Sequence, residues 1–155
     1  MKIEYKTIGV KYSLELCELE AKCFGDPWTQ KMFIDSLSSK YTQAIGAFCE
    51  DKLIGYIMWI FAGDAFEILN VATDPEMRRQ GIAKRMIKLL SGYACECNIE
   101  NILLEVRESN TPARTLYELL CFKVVGVRKN YYKNPIENAI LMDLKIQKKV
   151  VENEK

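Results

Sequence analysis

Apolar positions along this chain switch period several times, and the switches mark its elements. Lys2 to Thr7 can form a short strand. Leu14, Cys17, Ala21 and Phe24 then recur at helical spacing, predicting an amphipathic helix over Lys11 to Phe24. Gly25-Asp26-Pro27 breaks that pattern, and Thr29 can cap a second short helix with Phe33 and Leu37 on one face. The middle is β-prone: Gln43 to Cys49, Leu53 to Phe61 and Ala65 to Ala72, separated by Glu50-Asp51-Lys52 and Gly63-Asp64 as hairpin turns. From Gly81 the period lengthens again, and Ile82, Met86, Leu89, Tyr93 and Cys97 predict a long helix. Asn101 to Val106 reads as a strand. Thr111-Pro112 opens another helix, with Pro tolerated in the first turn and Ala113, Leu116, Tyr117 and Leu120 on one side. Phe122 to Lys129 and Asn138 to Leu144 are two further strands. The order β-α-α-β-β-β-α-β-α-β-β predicts an α/β fold with a mixed, mostly antiparallel sheet flanked by helices.

Composition narrows the chemistry. The chain has 155 residues, a length that suits one domain, and no repeat or linker divides it. The expected organisation is one domain over 1–146 and a polar tail over 147–155. Histidine is absent, which excludes Ser-His-Asp and Cys-His nucleophile systems and any imidazole acid or base. Catalysis has to rest on carboxylates, tyrosine, cysteine, lysine or oriented backbone groups. The six cysteines form no CxxC pair, so no metal site is expected and they read as small apolar fillers. A net charge of +1 argues against direct nucleic-acid or membrane partners. The charged start, Met1 to Lys6, lacks a signal-peptide pattern, and the longest apolar run, Ile57 to Ala62, is too short to span a membrane. A cytoplasmic protein is expected; its oligomeric state is not legible.

The most informative stretch runs from Asn70 to Lys84. A strand ends at Thr73, a loop follows, and a helix starts near Gly81. A helix N-terminus offers unpaired N–H groups and partial positive charge, which together suit a pyrophosphate. Gly81 would permit close backbone approach, Ala83 adds little bulk, and Arg78, Arg79 and Lys84 add charge. The spacing is neither a Walker loop nor a dinucleotide fingerprint; a basic loop before an ordinary helix is the alternative.

Arg79-Gln80-Gly81-Ile82-Ala83 resembles the acyl-CoA pyrophosphate loop of the Gcn5-related N-acetyltransferase (GNAT) superfamily, and the element order resembles its fold. Within that superfamily four segments, in order, resemble the RimI-type ribosomal-protein-alanine N-acetyltransferases. They are Asp26-Pro27-Trp28-Thr29, Leu104 to Asn110, Leu116 to Phe122 and Arg128 to Tyr132. Ala83 and Cys121 stand where glycine is common in the family; the second departure bears on a turn.

The resemblance implies acetyl-CoA as co-substrate, bound by Val71, Ala72, Thr73, Arg79, Gln80, Gly81, Ile82, Ala83, Lys84 and Asn110. Val71 to Thr73 would pair with the pantetheine arm as an added strand does. It also implies Glu105 as general base, Tyr117 as general acid, and the Ala-initiated terminus of small-subunit ribosomal protein eighteen as acceptor. Each residue has a plainer alternative: Glu105 paired with a cation, Tyr117 as a core aromatic, Asn110 as a helix cap. Glu67 is a rival base, and Trp28, Tyr131 and Tyr132 are candidates for the acceptor wall. Another amine acceptor, or a non-catalytic acyl-CoA-binding module, is the competing function.

Overall fold

The computed structural model describes residues 2–148. Most of the polar tail expected over 147–155 lies outside the described residues. The strands are β1 (Ile3–Ile8), β2 (Thr42–Cys49), β3 (Lys52–Ala62), β4 (Ala65–Thr73), β5 (Asn101–Arg107), β6 (Lys123–Tyr132) and β7 (Glu137–Lys145). The helices are α1 (Ser13–Cys23), α2 (Gln30–Leu37), α3 (Ile82–Glu96) and α4 (Thr111–Leu119). Short 3-10 turns at Val10–Tyr12 and Pro75–Met77 complete the set. The strands form one sheet in the order β1-β2-β3-β4-β5-β7-β6. All neighbours are antiparallel except β4 and β5. The predicted element order is the observed one.

Two apolar layers cover the two faces of the sheet. Ile82, Met86, Ile87, Leu90 and Ala94 of α3 pack with Ile57, Phe66, Ile68, Ile102, Leu104 and Val106 on one face. Leu16 and Leu19 of α1 and Phe33 of α2 pack with Ala44, Tyr56, Met58 and Ala72 on the other. Thr29 caps α2 as expected, its hydroxyl accepting the Met32 N–H at 3.2 Å.

Two helical faces differ from the sequence expectation. In α1 the buried residues are Ser13, Leu16, Leu19 and Glu20, whereas Leu14 is 50% and Phe24 39% exposed. The apolar spacing identified the helix but the wrong stripe, because the inward face includes a carboxylate. In α3 the stripe is rotated by a residue: Ile87, Leu90 and Ala94 go inward, and Tyr93 lies at the margin, stacked on Phe66.

The six cysteines are free, and Cys121 is exposed rather than a filler. It sits at φ 73°, the left-handed position that ends α4. Its N–H bonds the Glu118 carbonyl at 3.0 Å and the Phe122 N–H bonds the Tyr117 carbonyl at 2.9 Å, the paired closure of a Schellman turn. The accompanying apolar contact is between Tyr117 and Phe122, whose ring centroids lie 5.6 Å apart. A Cβ is unfavourable at that φ by about 1 kcal/mol. Cys121→Gly should therefore raise the urea midpoint by the equivalent of about 1 kcal/mol with an unchanged slope. A lower midpoint would show that the turn imposes no strain on the side chain.

Candidate active site

The site is built where the sheet opens. β4 and β5 pair over only three residues, Ala65 with Asn101, Phe66 with Ile102 and Glu67 with Leu103. Beyond Glu67 the two strands diverge while each keeps its other neighbour. β4 stays bonded to β3 as far as Thr73, and β5 to β7 as far as Arg107.

A bulge prepares the open edge of β4. Met58 pairs with Asn70 but Trp59 with Ile68, so Leu69 is the extra residue. Leu69 packs on the α1–α2 side and Ile68 and Val71 on the α3 side. Downstream, the Asp74 N–H bonds the Ile54 carbonyl of β3 at 2.7 Å. Backbone groups of a strand alternate in direction, so Ala72 also faces β3 while Val71 and Thr73 turn theirs to the opening. The Thr73 hydroxyl is buried without a partner.

The loop that follows is held by Asp74. Its carboxylate accepts the Glu76 N–H at 3.0 Å and lies 3.4 Å from the Lys22 ammonium; those two interactions keep it below the usual carboxylate range. Arg79 and Gly81 both have positive φ, 65° and 74°. Gly81 precedes α3 and offers no side-chain cap, and the first bond inward runs from the Arg85 N–H to the Gly81 carbonyl. The N–H groups of Ile82, Ala83 and Lys84 therefore precede the helical ladder and point out of its end. The side chains of Arg79, Gln80 and Lys84 are exposed, Ala83 is half-buried, and Ile82 goes into the core, leaving only its backbone to the site.

Glu105 and Tyr117 approach from opposite faces. Ile102, Leu104 and Val106 are in the α3-side core, so alternation puts Glu105 on the other face. One of its oxygens is 3.3 Å from the Arg128 guanidinium, so the plainer reading of a carboxylate facing a cation is also satisfied. Tyr117 is the buried residue of α4, in the α3-side core. Burial, with the Tyr132 ring adding to it, pushes its hydroxyl up to about 12. Tyr132 is likewise pushed up to about 12, by burial and then by the Glu105 carboxylate, so it stands electrostatically between the two. Tyr131 meets Tyr132 edge to face at 5.1 Å, and Arg128 lies over its ring.

The remaining candidates divide. Asn110 caps α4, its side-chain oxygen accepting the Ala113 N–H at 3.2 Å. Glu67 holds the last β4–β5 pair, at the vertex of the opening. Trp28 is not placed with Tyr131 and Tyr132: among the described residues its aromatic partner is Phe33, at 5.3 Å.

Sequence reasoning missed two residues. Arg107 bonds the carbonyls of Lys133 and Pro135, pairs with Glu137 at 3.2 Å, and lies over the Tyr132 ring, tying the β6–β7 turn to the opening. Glu20 of α1 is 3% exposed; its carboxyl accepts from the Tyr56 hydroxyl and the Asn70 amide. A carboxylate beside Leu16 and Leu19 on one helical face was the only signal for it. Among the described residues no cluster of His, Cys, Asp and Glu could hold a metal, and no helix is long and apolar enough to cross a membrane.

Burial raises the Glu20 carboxyl to about 7. A folded value above the unfolded one stabilises the fold fully below the ordinary carboxylate range, and the benefit disappears as pH rises through about 7. The melting temperature of the wild type relative to Glu20→Gln should fall between about pH 5 and pH 8. A constant difference would mean that Glu20 does not titrate there.

Three comparisons bear on this arrangement. The family model described as acetyltransferase (GNAT) family matches residues 13–121. A Bacillus subtilis protein named as a candidate ribosomal protein bS18-alanine N-acetyltransferase is 35% identical over 127 residues, covering 81% of this chain and 83% of that one. The Haemophilus ducreyi ribosomal protein bS18-alanine N-acetyltransferase is 32% identical over 137 residues, covering 83% and 90%. Among solved structures, the Escherichia coli ribosomal-protein-S18-alanine N-acetyltransferase superposes with a TM-score of 0.89 at 25% identity, covering 99% of both chains. The fold is shared with Arabidopsis thaliana NAA60, crystallised with acetyl-CoA, at a TM-score of 0.82.

Proposed function

The chain belongs to the GNAT acetyltransferase family and is an N-acetyltransferase, and we propose that it moves acetyl from acetyl-CoA to the α-amine of an Ala-initiated ribosomal protein, the bS18 protein. The observation that carries the reading is the opened sheet, with free backbone groups on β4 and Glu105 and Tyr117 on opposite faces beside it. The named relatives add the acceptor. Action on a ribosomal protein implies a cytoplasmic enzyme.

The residues fit the co-substrate. Val71 and the Thr73 N–H offer backbone groups to an extended amide-bearing arm, while the Thr73 carbonyl already accepts from Cys23 Sγ at 3.3 Å and Arg78 Nε at 3.4 Å. The exposed N–H groups at Ile82 to Lys84, with Arg79, Gln80, Gly81 and Lys84 around them, suit a pyrophosphate. Asn110 orders the turn beside that arm while capping α4. Bound acetyl-CoA supplies the activated acyl group.

The chain's own residues do the rest. An α-amine has a pKa of about 8, so a substantial fraction is already neutral and a modest base completes the work. Glu105 takes that proton, directly or through water; Arg128 occupies one oxygen and leaves the other for the exchange. Tyr117 gives a proton to the departing thiolate, whose acid has a pKa of about 8.5 by analogy with cysteine. A hydroxyl pushed up to about 12 stays protonated throughout the neutral range, as a donor must. Tyr131 and Tyr132, fixed by Arg128 and Arg107, wall the acceptor side, with Trp28 on the α1–α2 side.

Thiol release should be followed with acetyl-CoA and three acceptors: an Ala-initiated peptide, an N-terminally blocked Lys peptide and a small polyamine. Turnover confined to the free Ala terminus is the expected result. Turnover only with the Lys peptide or polyamine would move the acceptor class, and CoA binding without any turnover would make this a binding module. Tyr117→Phe should lower kcat by about a hundredfold with little change in CoA affinity, and an unchanged kcat would remove the general-acid assignment.

A further inference from the structure

The open edge of β4 depends on a bulge, and a bulge is a register that can slip. Were Leu69 drawn back into regular pairing, every residue beyond it would shift by one and reverse direction. Ala72 would then turn its backbone groups to the opening, and Val71 and Thr73 would turn theirs to β3. Nothing in the apolar pattern of β4 forbids that, since Leu69, Val71 and Ala72 are all apolar.

What distinguishes the observed register is Asn70. Its side-chain amide donates to the Glu20 carboxyl at 3.0 Å and lies 3.2 Å from the Tyr56 hydroxyl, which itself bonds the other Glu20 oxygen. Three elements, α1, β3 and β4, thus meet at one buried point immediately after the extra residue. None of the ion pairs among the described residues includes Glu20. An apolar side chain would fill this space among Leu16, Leu19 and Phe33 without the cost of burying a carboxyl. What the carboxyl adds is direction.

We propose that Glu20 is a positioning residue of the transfer site: by holding Asn70 it fixes the β4 register that turns Val71 and Thr73 to the opening. The proposal rests on the functional reading above only in assigning that edge to the co-substrate. The contacts it needs are hydrogen bonds: a Gln oxygen accepts the Tyr56 hydroxyl and its amide donates to the Asn70 oxygen once the Asn70 amide turns over, so Gln should replace Glu here and Ala should not.

The test is residue-resolved amide exchange of the free protein, with CoA affinity by calorimetry. In the wild type and in Glu20→Gln, the Ala72 amide should be protected and those of Val71 and Thr73 should exchange freely. Glu20→Ala should mix or invert that pattern and weaken CoA binding by about tenfold or more, with Gln restoring it to within about threefold. Should Glu20→Ala not fold, Asn70→Ala removes the same clamp from the other side and should give the same loss. Adding it to Glu20→Ala, where that variant folds, should cost little more. Wild-type exchange and affinity in the Ala variants would overturn the proposal, as would Glu20→Gln being as impaired as Glu20→Ala. A wild type that shows this pattern and binds CoA, yet acetylates no amine, would instead overturn the functional reading and leave the clamp standing.

Discussion

β4 and β5 part after three residue pairs, and the rest of the molecule is arranged around that parting. A sheet interior ordinarily satisfies its own backbone groups, and leaving them unpaired is costly unless something else pairs with them. Here the unpaired edge lies between two strands rather than at the rim, and it has the form of a slot for one more extended chain of amides. The bulge at Leu69 turns Val71 and Thr73 to it, the Asp74 lock ends the strand, and the left-handed Gly81 starts α3 with its first N–H groups free. Each is a local device with a separate cause, and together they leave backbone N–H groups of β4 and of the α3 start unpaired.

Two polar clusters around the opening are its scaffold. Glu20, Tyr56 and Asn70 form one buried knot on the α1–α2 side, and Arg107 with Glu137 and two turn carbonyls forms another at the β6–β7 end. The buried Glu20 carboxyl and the part-buried Arg107–Glu137 pair add little net stability, but they restrict the geometries available to the fold. Beside them stand Glu105, Tyr132 and Tyr117, and burial above all holds both tyrosine hydroxyls up, to about 12. On the proposed mechanism a carboxylate and a tyrosine kept protonated suffice for amine acetylation, so the absence of histidine is no obstacle to it.

Much of this was legible in the sequence. The element order came out whole because period changes at Gly81 and Asn101 are sharp and the turns carry Gly, Asp and Asn. The loop from Arg78 to Lys84 was legible because glycine, basic residues and a helix start coincide there. The α1 face was not, because Glu20 breaks the apolar stripe it belongs to and Leu14 and Phe24 imitate one. The bulge and the divergence of β4 from β5 were invisible, since both are matters of pairing between strands that no single strand encodes. Cys121 was seen as a departure from the family pattern, but its left-handed φ needed coordinates.

The central claim is that the opened edge of β4 receives the co-substrate's arm. The direct measurement is amide exchange of the wild type with and without saturating acetyl-CoA. Val71 and Thr73 should slow by about tenfold or more on binding, while Ala72, already bonded to β3, should change little. Tight binding of acetyl-CoA that leaves Val71 and Thr73 exchanging as they do in the free protein would contradict the account.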